Sequence, residues 1–537
     1  MIGAEALVKC LELENVEYVF GYPGVAICPF YNSILESDIK TVLIRTEQNA
    51  AHAASGYART KGKVGVCAVT SGPGATNVIT GIATAFADSI PMVIITGQVN
   101  SDLIGSDVFQ EADITGAVES FVKYSYLVRN QNDIPRIMKE AFHIASTGRP
   151  GPVLIDVPFD IQNLELKKFE YPETVNMRTY KPTYKGNMAQ IKKLIEKLGK
   201  AKKPIICAGG GVILADAVNE IRTFSKKHNL PVVTTMMGIG VMPSKDPLYF
   251  GMVGNNGKPY ANRAMNEADM IVMVGARVAD RAISQPDLVM ENKVLIHIDV
   301  DPAEIGKNAS ASIPLVGDVK SIFTDILEMD FDADYIEWVN DLRTYRETME
   351  PVRTPNPDFV DPAEFISLLS SKMEDDGIYV ADVGQNQIWS CRYHIVKKGR
   401  FLTSGGMGTM GYSIPAAMGA KLANPSKQVI AVCGDGAFQM SMMELATMKQ
   451  HNVNVKIVVV RNNYLGMVRQ YQHFTYKDAY SVVDICGAPK LDKLSQAYDI
   501  KYMRLENMDN ADSTINEFLE KDESVILEIL VDPMDLV

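Results

Sequence analysis

The sequence predicts an α/β protein built from three doubly wound parallel-sheet domains, with the first and last related to each other. Three observations predict it. Continuous β-branched runs such as TVLIRT, KVGVCAVTS and PMVIITG alternate with helical stretches such as EQNAAHAASGYART, and such runs mark parallel strands buried on both faces. Many of these runs end in a glycine turn: Gly21-Tyr22-Pro23-Gly24, Ser71-Gly72-Pro73-Gly74, Gly384-Gln385 and Gly434-Asp435-Gly436. Two polar, aperiodic stretches, residues 163–187 and about 330–361, separate three α/β blocks. The expected domains are therefore 1–162, 188–330 and 361–537. The outer two look alike because each opens with an amphipathic helix and then a strand ending in a glycine turn.

A chain of 537 residues has room for about three domains. Its 47% hydrophobic and 22% charged residues are an ordinary globular balance. The net charge of −12, without a basic patch, argues against nucleic acid or an anionic membrane as partner. The seven cysteines lie far apart with no Cys-x-x-Cys, which reads as reduced core thiols and argues against a disulfide framework or zinc site. The N-terminus lacks a basic n-region and an apolar h-region, and no run reaches 18 apolar residues. The expected compartment is the cytoplasm.

Open parallel sheets bind ligands beyond the carboxyl ends of their strands, where the unusual residues cluster. The sharpest local signal is GDGAFQMSMMELATMKQHNVNVKIVVVRNNYLGMV. Asp435 ends one strand between two glycines, and Asn462 ends the next strand 27 residues later. A carboxylate and an amide then converge at neighbouring strand tips. Hard Mg²⁺ takes a few such oxygens and completes its octahedron with phosphates, and glycines let backbone N–H groups approach a diphosphate. A turn followed by a helix cap is the bland alternative for an isolated Gly-Asp-Gly. Strand, helix and second strand at this interval favour the metal site.

These residues resemble the thiamine-diphosphate enzymes, whose signature is GDG followed after about 30 residues by NN. The resemblance implies metal ligation by Asp435, Asn462 and the backbone carbonyl of Tyr464, although the family more often has Asn where this chain has Arg461. It further implies that Glu47 hydrogen-bonds the cofactor's aminopyrimidine ring. Glu47 follows an apolar strand and faces an alanine-rich helix, a partly desolvated setting suited to a shared proton; this segment taken alone favours a helix-capping acid. Met410, in SGGMGTMGYSIPAA, matches the family's apolar wedge beneath the ring, and the Gly408 carbonyl its amino-group acceptor. Tyr22, Pro23, Asn77, Gly384, Gln385, Asn386, Gly434, Gly436, Ala437, Gly466 and Met467 fall in cofactor-binding motifs. In that family the glutamate and the diphosphate site come from different subunits, implying a homodimer at least, or a tetramer.

The resemblance runs over nearly the whole chain and is closest to acetolactate (acetohydroxyacid) synthase catalytic subunits, through EQNAAHAASGYAR, TSGPGATNVITGIATAFADSIPMVIITGQV, IGSDVFQEADI, GRPGPVLIDVP, IHIDVDPAEIGKN and YLGMVRQYQ. It implies 2-oxo acids as substrates, with Glu47 and Gln110 in catalytic roles, and leaves open a small regulatory subunit. Val25, Ala26, Phe109, Gln110, Phe159, Met467 and Tyr471 would line the substrate pocket, where Phe109 and Met467 taken alone read as core residues. Several positions depart from the family pattern. Val25 replaces glycine, Phe159 replaces lysine, Tyr471 replaces tryptophan, and Asn386 and Asn256 replace histidines. Arg277-Val278-Ala279-Asp280-Arg281 stands for RFDDR. These changes bear on which acceptor, or even which donor, is used.

A structural FAD is one expectation for the middle block, at Arg149, Gly209, Gly210, Gly211, Gly275, Arg277, Asp299 and Asp318. An empty nucleotide fold is the other. For the reaction, the leading expectation is decarboxylation of pyruvate and transfer of its two-carbon fragment to a second 2-oxo acid, giving 2-acetolactate. The chain lacks the adjacent His-His pair of simple 2-oxo-acid decarboxylases, which favours ligation over aldehyde release. A paralogue using an aldehyde, sugar ketone or phosphate acceptor is the alternative. A non-catalytic cofactor-binding protein is a third reading.

Overall fold

Most of the β-branched runs read from the sequence form strands buried along their length, because helices cover both faces of each sheet, whereas TVLIRT gives an edge strand with only Val42 buried. The computed structural model describes residues 1–350, 352–520 and 522–537. They carry three sheets of six strands, every neighbouring pair parallel. The first holds β1 (Tyr18–Tyr22), β2 (Lys40–Leu43), β3 (Gly65–Val69), β4 (Met92–Gln98), β5 (Tyr124–Leu127) and β6 (Pro152–Pro158), in the order β2-β1-β3-β4-β6-β5. The central sheet holds β7 (Pro204–Ala208), β8 (Val232–Thr234), β9 (Tyr249–Met252), β10 (Met270–Val274), β11 (Val294–Asp299) and β12 (Ile313–Val316), in the order β12-β11-β10-β7-β8-β9. The third holds β13 (Ile378–Ala381), β14 (Arg400–Leu402), β15 (Val429–Gly434), β16 (Lys456–Arg461), β17 (Lys501–Leu505) and β18 (Val525–Leu530), in the order β14-β13-β15-β16-β18-β17.

The outer sheets thus repeat one winding, as expected of related domains. The strand order reverses between β1 and β3, between β7 and β10, and between β13 and β15. Each reversal opens a crevice at the carboxyl ends of the two strands. The polar stretch after the central sheet contains a helix, Ile336–Met349, which buries Trp338, Val339 and Leu342 in the central core.

Six helices position the strand tips: α1 (Glu47–Lys61), α2 (Gln385–Tyr393), α3 (Ser413–Ala423), α4 (Asp435–Ser441), α5 (Glu444–His451) and α6 (Gly466–Tyr476). Helix α1 is alanine-rich, and all its residues from Asn49 to Ala58 are buried. The Thr46 hydroxyl accepts from the Asn49 N–H at its start, and Gly62 at φ 75° ends it. Its small face lets α3 of the third sheet approach backbone to backbone. A Cβ at Gly56 would lie 1.9 Å from the Ala416 carbonyl oxygen, and one at Gly419 1.9 Å from that of Ala53. Ser55 and Tyr412 hydroxyls meet at 2.9 Å beside this contact, and Arg59 donates to the Thr403 carbonyl at 2.7 Å. One apolar core accordingly runs from the first sheet to the third, while the central sheet keeps its own.

The first sheet also buries a carboxyl. Asp156 on β6 is the register partner of Thr96 on β4. It accepts from the Thr96 hydroxyl at 2.6 Å and from the Gln98 amide at 3.0 Å. Burial pushes it up to about 7, against the pull of those two donors.

Two outcomes follow from this packing. Gly419→Ala should destabilise the protein by about 1–3 kcal/mol, since neither backbone can retreat without moving a sheet; urea unfolding measures it. Below pH 4 Asp156 is protonated folded or unfolded and costs nothing. Between pH 4 and 7 only the unfolded chain has released the proton, so stability falls as pH rises, then levels off. Asp156→Asn should flatten that slope in unfolding experiments run across the same pH range.

Candidate active site

The crevice of the third sheet gathers the oxygen-bearing residues. Gly434 closes β15 and Asp435 opens α4. The Asp435 carboxylate accepts from the Gly436 N–H at 3.1 Å and from the Asn463 N–H at 2.8 Å, and burial raises it to about 6. Asn462 follows β16. Its side-chain oxygen accepts from the Tyr464 N–H at 2.9 Å, and its amide donates to Gln385 Oε1 at 3.3 Å. A cavity of about 80 Å³ is lined by Asp435, Asn462 and Tyr464, by Gly434, Gly436 and Ala437, and by Gly384, Gln385 and Asn386 at the start of α2. Met410, Gly466 and Met467 also line it.

Two glycines there leave space that neighbouring side chains occupy. A Cβ at Gly466 would lie 2.0 Å from Gln385 Oε1, and one at Gly436 2.8 Å from the Leu465 side chain. The starts of α2 and α6 border the space, where backbone N–H groups and the helix dipole favour an anion. Among the described residues no three His, Cys, Asp or Glu side chains gather. A lone carboxylate with an amide oxygen and a carbonyl is a hard, incomplete donor set. It fits a Mg²⁺ ion that draws its remaining ligands from phosphate and water.

The tip of the first sheet carries the other group. Glu47, the first residue of α1, is 9% exposed; one carboxylate oxygen, Oε2, accepts from the Asn77 amide at 3.0 Å, and Gly74 packs near the other. Tyr22 lies at the end of β1 beside Pro23. Val25 is 75% and Phe109 87% exposed, whereas Ala26 is buried, its carbonyl accepting from Gln162 at 2.7 Å. Gln110 adopts φ 59° and packs against Gly72. Phe159 starts the short helix Phe159–Asn163 just after β6. Glu47, Asn77, Val25, Phe109 and Gln110 line neither the 80 Å³ cavity nor the larger one below. Tyr471, on α6, is 60% exposed.

The larger cavity, about 740 Å³, lies where the central sheet reverses. Arg149, Gly210, Gly211, Gly275, Arg277, Asp299 and Asp318 all border it. Gly209 does not; it packs against the Gly275 backbone. Arg149 pairs with Glu304 at 2.9 Å and Asp301 at 3.3 Å. Gly384, Gly408 and Met467 also border this cavity, and Val383, Gly384 and Met467 line both spaces.

Three buried carboxylates that sequence reasoning passed over hold these tips in place. Glu444 on α5 accepts from the Arg45 N–H at 3.1 Å, the Asn49 amide at 2.9 Å and the Thr447 hydroxyl at 2.6 Å, which clamps the turn leading to Glu47. Asp88 accepts from the Gly406 and Gly405 N–H groups at 2.7 and 3.2 Å. Asp382 accepts from those of Gly411 and Ser413 at 2.9 and 2.8 Å, fixing the turn that bears Met410. Burial raises the carboxyl of all three. The available signal was a single acid beside apolar neighbours, as in MSMMELATM or VADVG, since a buried carboxylate requires partners.

Comparison with known proteins agrees with this architecture. The family model described as thiamine pyrophosphate enzyme, N-terminal TPP binding domain, matches residues 1–117. The central domain of the same enzymes matches 191–326, and their C-terminal TPP binding domain matches 382–529. A probable acetolactate synthase large subunit of Methanococcus aeolicus is 43% identical over 556 residues, covering 99% of this chain and 92% of that protein. The acetolactate synthase large subunit of Lactococcus lactis is 41% identical, covering 98% and 92%. That of Corynebacterium glutamicum is 44% identical, covering 90% and 78%. With three successive domains matched and the identity sustained over nearly the full length, the chain belongs to the thiamine pyrophosphate enzymes and, among them, to the acetolactate synthase family.

Proposed function

We propose that this enzyme decarboxylates pyruvate and joins the remaining two-carbon unit to a second 2-oxo acid, yielding 2-acetolactate when both are pyruvate. The observation that carries the reading is the convergence of Asp435, Asn462 and Tyr464 on one glycine-walled cavity in a chain of this family. Thiamine diphosphate, when bound with Mg²⁺, supplies the electron sink that lets a 2-oxo acid lose CO₂.

The chain's own residues supply the rest. The Asp435 carboxylate, the Asn462 side-chain oxygen and the Tyr464 carbonyl would hold Mg²⁺. Backbone N–H groups around Gly384, Gly436 and Gly466 would receive the diphosphate. Met410 would wedge beneath the ring system, with the Gly408 carbonyl taking its amino group. Asn77 engages Glu47 Oε2, leaving Oε1 to share a proton with the ring. Val25 and Phe109 would shield the reacting carbon from water, which delays its protonation and favours ligation. The Gln110 amide would orient the substrate beside it.

Glu47 and its neighbours line neither cavity of their own chain, and the exposed Val25 and Phe109 side chains at that tip need a cover. A second copy provides both. The working unit in this reading is a two-fold homodimer, or a tetramer of two such pairs, with each site shared between subunits. The relatives are named as large subunits, which supports a small regulatory partner as well. The 740 Å³ cavity, bordered by Gly210, Gly211 and Arg149, suits a structural FAD. No helix among the described residues is long and apolar enough to cross a membrane, in keeping with the cytoplasm as the proposed location.

Val25 and Tyr471 make the acceptor pocket one for a small substrate, so pyruvate is the proposed acceptor. Purified enzyme given Mg²⁺, thiamine diphosphate and pyruvate should convert it to acetolactate, one molecule for every pair consumed. Adding equal 2-oxobutyrate should leave acetolactate the main product by chromatography. Release of CO₂ without acetolactate would contradict the reading and favour a different acceptor.

A further inference from the structure

We propose that Arg461 is a positioning residue for the cation loop: its guanidinium, anchored on buried Glu528, hooks Asn463 and so holds the turn that presents Asn462 and Tyr464 beside Asp435. The inference rests on the reading of that cavity as a Mg²⁺–diphosphate site.

Strand β16 ends at Arg461, and the next three residues must leave the sheet and double back. Asn463 does so in the left-handed region, at φ 61°, which asparagine enters more readily than most side chains because its short amide can hydrogen-bond locally. Support comes from Arg461, whose Nε donates to Asn463 Oδ1 at 2.8 Å. Its Nη1 donates to Glu528 Oε1 at 2.7 Å. Glu528 sits on the neighbouring strand β18 and is 2% exposed, and its other oxygen accepts from the Tyr502 hydroxyl of β17. The guanidinium is thus fixed at one end and works at the other, a geometry that the planar fork of arginine permits and an ammonium does not. With Asn463 held, its N–H points at Asp435 and donates at 2.8 Å. The Tyr464 N–H then closes on Asn462 Oδ1 at 2.9 Å. One brace across three strands therefore orients all three candidate ligands. Groups that orient metal ligands in this way set affinity without touching the ion.

The test is calorimetric titration of Mg²⁺ into metal-free, full-length protein at saturating thiamine diphosphate, with melting curves as the control for folding. Asn463→Gly keeps the left-handed turn and the N–H to Asp435 but deletes the hook. It should weaken Mg²⁺ about tenfold at a nearly unchanged melting temperature. Arg461→Lys keeps the charge opposite Glu528 yet cannot engage both partners, and should lose a similar factor. The double variant should bind no worse than either single one, because a hook breaks only once. Wild-type affinity in Asn463→Gly, full retention in Arg461→Lys, or losses that multiply would overturn the proposal and leave Arg461 a mere counter-charge. A wild-type protein that takes up no Mg²⁺ with the diphosphate would instead bring down the site reading itself.

Discussion

The backbone contact between α1 and α3 governs much of this molecule. Carbonyls of Ala53 and Ala416 face glycines of the opposite helix at distances that exclude any side chain. Helices that approach so closely interlock rather than slide, so the tip of the first sheet has one permitted place relative to the third. Glu47 begins α1, and Met410 lies just before α3 in the chain. A change in this contact therefore moves both groups. The alanine-rich helix is the precondition for the geometry of the strand tips.

The same constraint explains the use of buried carboxylates. A strand tip that must present backbone and polar atoms to a ligand cannot also be packed by apolar side chains. The chain secures these turns with acids that accept from backbone N–H groups: Glu444 at Arg45, Asp88 at Gly405 and Gly406, Asp382 at Gly411 and Ser413. Charged or polarised acceptors make the stronger hydrogen bonds inside a protein, and their loss exposes an unpaired group to a dry environment. Rigid tips with open crevices result.

Much of the fold was legible in the sequence because the inner strands β3, β4, β7, β10, β15 and β16 are unbroken apolar runs. Two edge strands, β5 and β17, were not. Strand β5 has no buried residue and β17 only one, so neither carries a continuous apolar signature. The helix Ile336–Met349 hid in a polar stretch because only Trp338, Val339 and Leu342 of its residues are buried. Of the candidate site, Asp435 and Asn462 stood out because a polar residue at the end of a buried strand is conspicuous, and Glu47 because it is an acid at the head of an alanine-rich helix. The bracing by Glu444, Asp382 and Arg461 was illegible, since it depends on which helices and strands meet in space. The separation of Glu47 from the cavity of Asp435 was expected only through the family resemblance, since no residue spacing encodes it.

That separation is the central claim, and mixing two crippled proteins tests it directly. Glu47→Gln and Asp435→Ala chains, each inactive alone, are dissociated, combined in equal amounts and reassociated before activity is measured. If sites are shared between copies, half the dimers are hybrids with one intact site of two, and about a quarter of wild-type activity returns. If each chain completes its own site, every site keeps a defect, and the mixture stays as inactive as its components.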